Sequence, residues 1–353
     1  MKQKLKKLAK TSKAKLLRRS PEGEKGGAPR ITNDTVASHR EEVLSSARKY
    51  IYPLQHSRHR VVIISVTLFT VAVVAFFAYM LLSLYRYHTT STFAYNVTRV
   101  LPFPIAKAGP DLVAYENYLF EVRRYKHYYE TQQRVNFEED SGQEQLRNFE
   151  KQALDTVIQD AFVKQLAETH EVTVSDAEVD EQVELMRSQN RLGGSEQVLE
   201  DVLHEYWGWS VKDFKRQLNK ELLAQKVLGV LDADTKQAAT KALEQIRAGG
   251  DFAAIAREQS DDASTAANGG TYGLDITRSS VDVDARVVDA LFTLQKDQVS
   301  DMIVTPQGIE IIKIIDTDGT IVHAAHILFE YQDITTFTKP LQEERGLRKF
   351  VGL

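Results

Sequence analysis

The groups able to do acid–base or metal chemistry in this 353-residue sequence are nine histidines and 49 aspartates and glutamates; cysteine is absent. Without cysteine, thiolate catalysis, disulfides and Cys-ligated metal sites are excluded. The histidines show no HExxH or similar paired-ligand spacing, so no metal site is expected. Which imidazoles and carboxylates matter then depends on the elements that bring them together.

Charge and hydropathy divide the chain first. Residues 1–60 carry 16 Lys+Arg against 5 Asp+Glu, a net of +11, and the remaining residues hold 29 basic and 44 acidic side chains. The acidic remainder argues against nucleic-acid binding by the globular region. The run Val61–Tyr85, VVIISVTLFTVAVVAFFAYMLLSLY, has no charged residue. As a helix it would reach roughly 37 Å, more than the roughly 30 Å of a bilayer's hydrocarbon core. It is apolar on every face, unlike a buried core helix, and it begins too late and runs too long for a cleaved signal peptide. Residues 61–85 are therefore expected to be a single transmembrane helix in a lipid bilayer. Arg58, Arg60 and the basic tail place residues 1–60 in the cytoplasm, with Arg86 as a smaller opposing signal. The tail, rich in Lys, Ser, Gly and Glu, reads as disordered. Its start either holds anionic headgroups or is simply solvated.

Residues 86–104 read as an extended linker containing an Asn96-Val97-Thr98 sequon, a tripeptide common by chance. From 105 to 231 the pattern is helical. Tyr115, Tyr118, Leu119, Phe120 and Val122 recur at core spacing, as do Leu146, Phe149, Leu154, Val157, Ile158 and Phe162. Ser175 with Glu178 makes a capping box, and Ser195 and Ser210 can cap two further helices. The order "HEVTVSDAEVDEQVELMRSQN", a glycine break, an aromatic turn, then "SVKDFKRQLNKELLAQKVL" resembles the N-terminal chaperone domain of the SurA and PrsA class of extracytoplasmic folding factors. The V-N-G entry common there is not clear; Lys107-Ala108-Gly109-Pro110 stands in its neighbourhood.

The C-terminal region, 232–353, holds "GGDFAAIAREQSDD", "AANGGTYG" and "GIEIIKI" in order. Together these resemble the parvulin-type (PpiC, rotamase) peptidyl-prolyl isomerase domain. The implied fold class is α+β: a transmembrane helix, an all-α chaperone domain, then an α+β parvulin-like domain. One feature departs from the family. Parvulins open with a strand of the A-R-H-I-L type, and nothing like it precedes Asp234. Instead "VHAAHILF" at 322–329 follows the last expected strand. The first and last strands of the family fold are antiparallel neighbours, so a tight turn can join them. Residues 322–329 then supply the missing strand as a natural circular permutation, or else begin a further, truncated unit.

The resemblance implies the site. His326 takes the place of the strand histidine, and Asp262 the position after Ser-Asp. Glu310 stands where the closing strand of the family has histidine. Val283 and Val287 fall near the methionine and phenylalanine of the proline pocket, and Phe292 keeps a later apolar position. Each polar residue also has a purely structural reading, as a strand histidine, a helix cap and a solvated strand residue. Rotation about an X–Pro bond needs no cofactor. The implied function is a membrane-anchored isomerase and chaperone acting on unfolded or proline-containing exported polypeptides. The alternatives are an inactive holdase on the same fold and a structural adaptor of the cell envelope. If the orientation is right, protease added to intact cells should remove the C-terminal region while a label on the basic tail stays protected. Protection of the C-terminal region instead would reverse it.

Overall fold

A computed structural model describes residues 31–51, 54–192 and 195–352. The chain divides into two units, with the boundary between Phe77 and Ala78. In the first, residues Asn33–Ile51 form helix α1. That corrects the expectation of a disordered tail for this stretch. Thr32 and Thr35 cap its start reciprocally, each side chain meeting the other's backbone N–H at 3.4 and 2.9 Å. The basic run before residue 31 and the Gly193-Gly194 break lie outside the described residues. Helix α2 follows, Leu54–Tyr85. Its stretch His59–Tyr85 has a mean hydropathy of 2.8 and is, among the described residues, the one helix long and apolar enough to cross a membrane. It is consistent with a signal or an anchor.

In the second unit the last turns of α2 are buried in protein: Met80 and Leu84 have no exposed surface. Tyr115 donates from its hydroxyl to the Leu84 carbonyl at 2.7 Å, and Tyr85 to the Pro104 carbonyl at 2.5 Å. Between those anchors the expected extended linker contains helix α3, Thr92–Val100. Ser91 caps it by accepting from Ala94 N–H, and Leu101 before Pro102 ends it. Ala94 and Thr98 form its buried side, so packing makes helical a stretch too short to declare itself locally.

The next region is not all-α as expected. Strands β1 (Pro104–Ala108) and β2 (Asp111–Ala114) form a hairpin. Gly109 at φ 55° makes the turn, where a side chain would also meet Arg345. Five helices follow: α4 (Tyr115–Thr131), α5 (Asp140–Thr169), α6 (Asp176–Ser188), α7 (Glu196–Trp207) and α8 (Val211–Leu231). The Ser175/Glu178 capping box is formed, as is a second at Ser210 and Asp213. The aromatic pattern is core. Phe120 stacks on Trp209 at 5.3 Å and Tyr125 on Phe149 at 5.1 Å.

Helices α9 (Ala233–Arg247), α10 (Phe252–Gln259), α11 (Ala263–Ala266) and α12 (Ala285–Leu291) surround a sheet in the order β3-β4-β5. Its strands are β3 (Ile303–Val304), β4 (Gly308–Thr317) and β5 (Val322–Glu330). The expected hairpin is present, with Ile311 opposite Ile327 and Ile312 opposite His326. Alternation along the strands separates two faces. Ile309, Ile311, Ala325, Ile327 and Phe329 pack on Leu243, Phe252 and Ile255. Ile312, Ile314, Val322 and Ala324 pack on Val287, Val288 and Leu291.

The chain then returns to the helical region, which shortens the C-terminal domain expected over 232–353. Helix α13 (Thr335–Arg345) places Phe337 and Leu341 against Val163, Leu166 and Val227. Strand β6 (Leu347–Lys349) adds antiparallel to β1, and Val351 is buried. Deleting residues 346–353 should therefore weaken the helical region by on the order of 2 kcal/mol, the value of burying one valine-sized side chain. A thermal transition followed by circular dichroism should show a lower midpoint; an unchanged midpoint would mean that β6 contributes nothing.

Candidate active site

Pairing of β4 with β5 sets the site's frame. Glu310 lies opposite Leu328, so Glu310 and His326 are diagonal neighbours on the sheet face that carries Ile312 and Ile314. His326 Nδ1 is 2.9 Å from Glu310 Oε2. Its Nε2 is 2.8 Å from Asp262 Oδ2 and 3.0 Å from Thr265 Oγ1. Asp262 is the N-cap of α11. One oxygen accepts from the Ser264 backbone and hydroxyl, and the other from the Thr265 hydroxyl at 2.6 Å. Tyr272 closes the far side, its ring stacked on His326 at 4.2 Å and its hydroxyl donating to Glu310 at 3.0 Å.

The diglycine turn permits this approach. Gly269 and Gly270 have φ of 71° and 81°. A β-carbon on Gly270 would stand 2.1 Å from the His326 carbonyl oxygen. That closeness lets His326 N–H donate to the Gly270 carbonyl at 2.8 Å. Local sequence thus places Asp262, Thr265, Gly270 and Tyr272 on one short connection, and the β-hairpin supplies Glu310 and His326.

Glu310, His326 and Thr265 are nearly fully buried, while Asp262 reaches the surface. Burial pushes the Asp262 carboxyl up, but hydrogen bonds from Ser264, Thr265 and His326 outweigh it and hold the group at about 2. The Tyr272 hydroxyl is pushed well above its ordinary range, by burial first and then by Glu310 beside it. Each imidazole nitrogen lies within hydrogen-bond distance of a carboxylate oxygen. The ring is then held on both edges and covered on one face. It has no nitrogen left to offer a substrate amide.

The three expected polar residues therefore meet in one network. The expected apolar residues do not line an opening. Val283 and Val287, expected near the proline pocket, are buried in the core with Ile276 and Leu291. Phe292 alone of the three is partly exposed, lying under the Arg278 guanidinium at 4.6 Å and beside a shallow cavity of about 330 Å3. The tip of the helical region bonds to the backbone around the valines. Gln189 donates to the Ala285 carbonyl at 2.6 Å, and Arg191 reaches the Ser280 and Val283 carbonyls. Sequence reading missed Thr265 and Tyr272. The signals were the D-x-x-T cap spacing after Asp262 and the aromatic residue two positions beyond the diglycine.

Comparison with known proteins agrees with this architecture. A SurA-like N-terminal domain model matches residues 54–228. A PPIC-type PPIASE (rotamase) domain model matches residues 228–316. The chaperone SurA of Thiobacillus denitrificans is 35% identical over 101 residues, 27% of this chain. The matched stretch spans only 22% of that relative's length. A crystal structure of the foldase PrsA from Streptococcus pneumoniae is 20% identical, with a TM-score of 0.17 over 55% of this chain and 76% of that one. The chain thus carries a rotamase domain of the PPIC type behind a SurA-like N-terminal domain. It is a distant homologue of SurA.

The low value at Asp262 has a consequence for stability. A carboxyl held below its ordinary value of about 3.9 stabilises the fold only while ionised. Wild-type stability should exceed that of Asp262→Asn by a constant margin above about pH 4. That margin should be lost as pH falls toward 2. Denaturation midpoints measured across this window test it; a margin independent of pH would show that the charge on Asp262 adds nothing.

Proposed function

We propose that this protein is a membrane-anchored extracytoplasmic folding factor that holds unfolded, proline-containing exported polypeptides and isomerises prolyl bonds weakly. The observation that carries this reading is His326 locked between Asp262 and Glu310. Catalysis of X–Pro rotation needs an apolar seat for the proline ring and polar groups free to favour the twisted amide. Here the ring nitrogens are occupied, the valines of the expected seat are buried in the core, and Glu310 offers oxygen lone pairs where a donor is wanted. At about 25 cal/mol per Å2, losing several tens of Å2 of apolar seat removes on the order of 1 kcal/mol of binding.

Holding a client needs less. A groove of about 660 Å3 lies between α6, α8 and α12, lined by Val174, Leu185 and Leu222 and by more acidic groups (Glu178, Glu181, Glu184, Asp289) than basic ones (Lys226, Arg286). Such a groove suits extended chains with apolar and basic residues. The anchor is α2, with the basic tail in the cytoplasm and residues 86–353 outside. The rotamase domain is read as circularly permuted. The matched domain ends at residue 316, and β5 follows it to complete the sheet.

The full chain in nanodiscs should suppress aggregation of an unfolded client while turning over a prolyl peptide slowly. His326→Gln and Asp262→Asn should leave suppression nearly unchanged. Robust wild-type isomerisation, abolished by either substitution, would overturn the reading.

A further inference from the structure

Helix α3 has an outward side that no part of the described protein covers. Its inner side is fixed. Ala94 and Thr98 are buried, Arg123 donates to the Thr92 hydroxyl at 3.0 Å, and the Arg123 guanidinium lies 4.9 Å over the Tyr95 ring. On the outer side Phe93 is 54% exposed and Val100 79%, with Val97 partly exposed between them at helical spacing and the exposed Asn96 as the polar residue beside them. Tyr87, just before the helix, is 73% exposed. A helix facing water would carry polar residues on that edge.

Chain geometry says where this edge lies. Tyr87 N–H still donates to the Leu82 carbonyl and Thr89 N–H to that of Ser83, so the chain turns back at the end of α2. The Tyr85 hydroxyl holds Pro104, the point of return. Residues 86–104 are thus a closed loop tied at both ends to the last turn of the apolar helix. The exposed apolar surface of α2, including Leu81 and Leu82, runs directly into it. Charge points the same way. Residues 86–110 contain Arg86, Arg99 and Lys107 and no acidic residue, in a region that is otherwise strongly acidic.

We propose that α3 is an interfacial helix that beds Tyr87, Phe93, Val97 and Val100 into the surface of the bilayer spanned by α2, with Arg86 and Arg99 meeting anionic headgroups. This rests on the anchored reading above. An amphipathic helix of this composition lies in the membrane plane with its apolar side among the upper acyl chains and its basic groups among the headgroups.

The absence of cysteine makes the test direct. Single variants Val71→Cys, Phe93→Cys, Val100→Cys and Val281→Cys of the full chain are labelled with an environment-sensitive fluorophore in nanodiscs containing phosphatidylglycerol. Val281 is exposed in the rotamase domain and reports water; Val71 is in the apolar span. The labels at 93 and 100 should be blue-shifted relative to 281, quenched by a lipid-borne nitroxide and shielded from iodide. Labels at 93 and 100 that behave like 281, with 71 in lipid, would overturn the inference while leaving the anchor intact. A label at 71 exposed to iodide would overturn both.

Discussion

The antiparallel pairing of Gly308–Thr317 with Val322–Glu330 is the constraint on which the rotamase domain rests. Strand alternation along it makes one face for α9 and α10 and another for α12. The same alternation directs Glu310 and His326 to a common side, where the diglycine turn brings Asp262 and Tyr272 to them. Gly308 belongs to this constraint as well: a β-carbon there would stand 2.0 Å from the Phe329 carbonyl oxygen. The two strands follow each other directly in the chain, so the sheet's centre forms from a local hairpin, a short-range contact that closes at little entropic cost.

A histidine buried between two carboxylates is costly to desolvate, and such clusters are weak sources of net stability. What this one supplies is geometry. Asp262 ties the start of α11, Glu310 ties β4, and Tyr272 ties the segment leaving the diglycine turn, all through one ring. Completeness of the hydrogen bonding makes the network rigid.

The helical region is closed by its distant ends. The last turns of α2 enter it at Met80 and Leu84, and α13 with β6 returns to α5 and β1. Arg286 joins the two regions from the rotamase side, donating to Gln182 and Gln225 as well as to the Val304 carbonyl.

Some of this was written in the sequence. The uniform apolar run of α2, the Ser175/Glu178 box and the alternation of β4 and β5 are signals between near neighbours, and they determined those elements directly. Motif order also brought Asp262, Glu310 and His326 together as a candidate site. Only the tertiary structure decided the rest. Helix α3 needed α4 against Ala94 and Thr98; the β1–β6 pairing joins strands at opposite ends of the globular region; and Lys349 finds Asp155 across 194 positions. Val283 and Val287 read as pocket residues along the chain, but they pack in the core with Ile276, Leu291 and Ile312. The physical reason is range. Caps and periodicity are local and legible along the chain, whereas burial is set by whichever distant surface arrives to exclude the water.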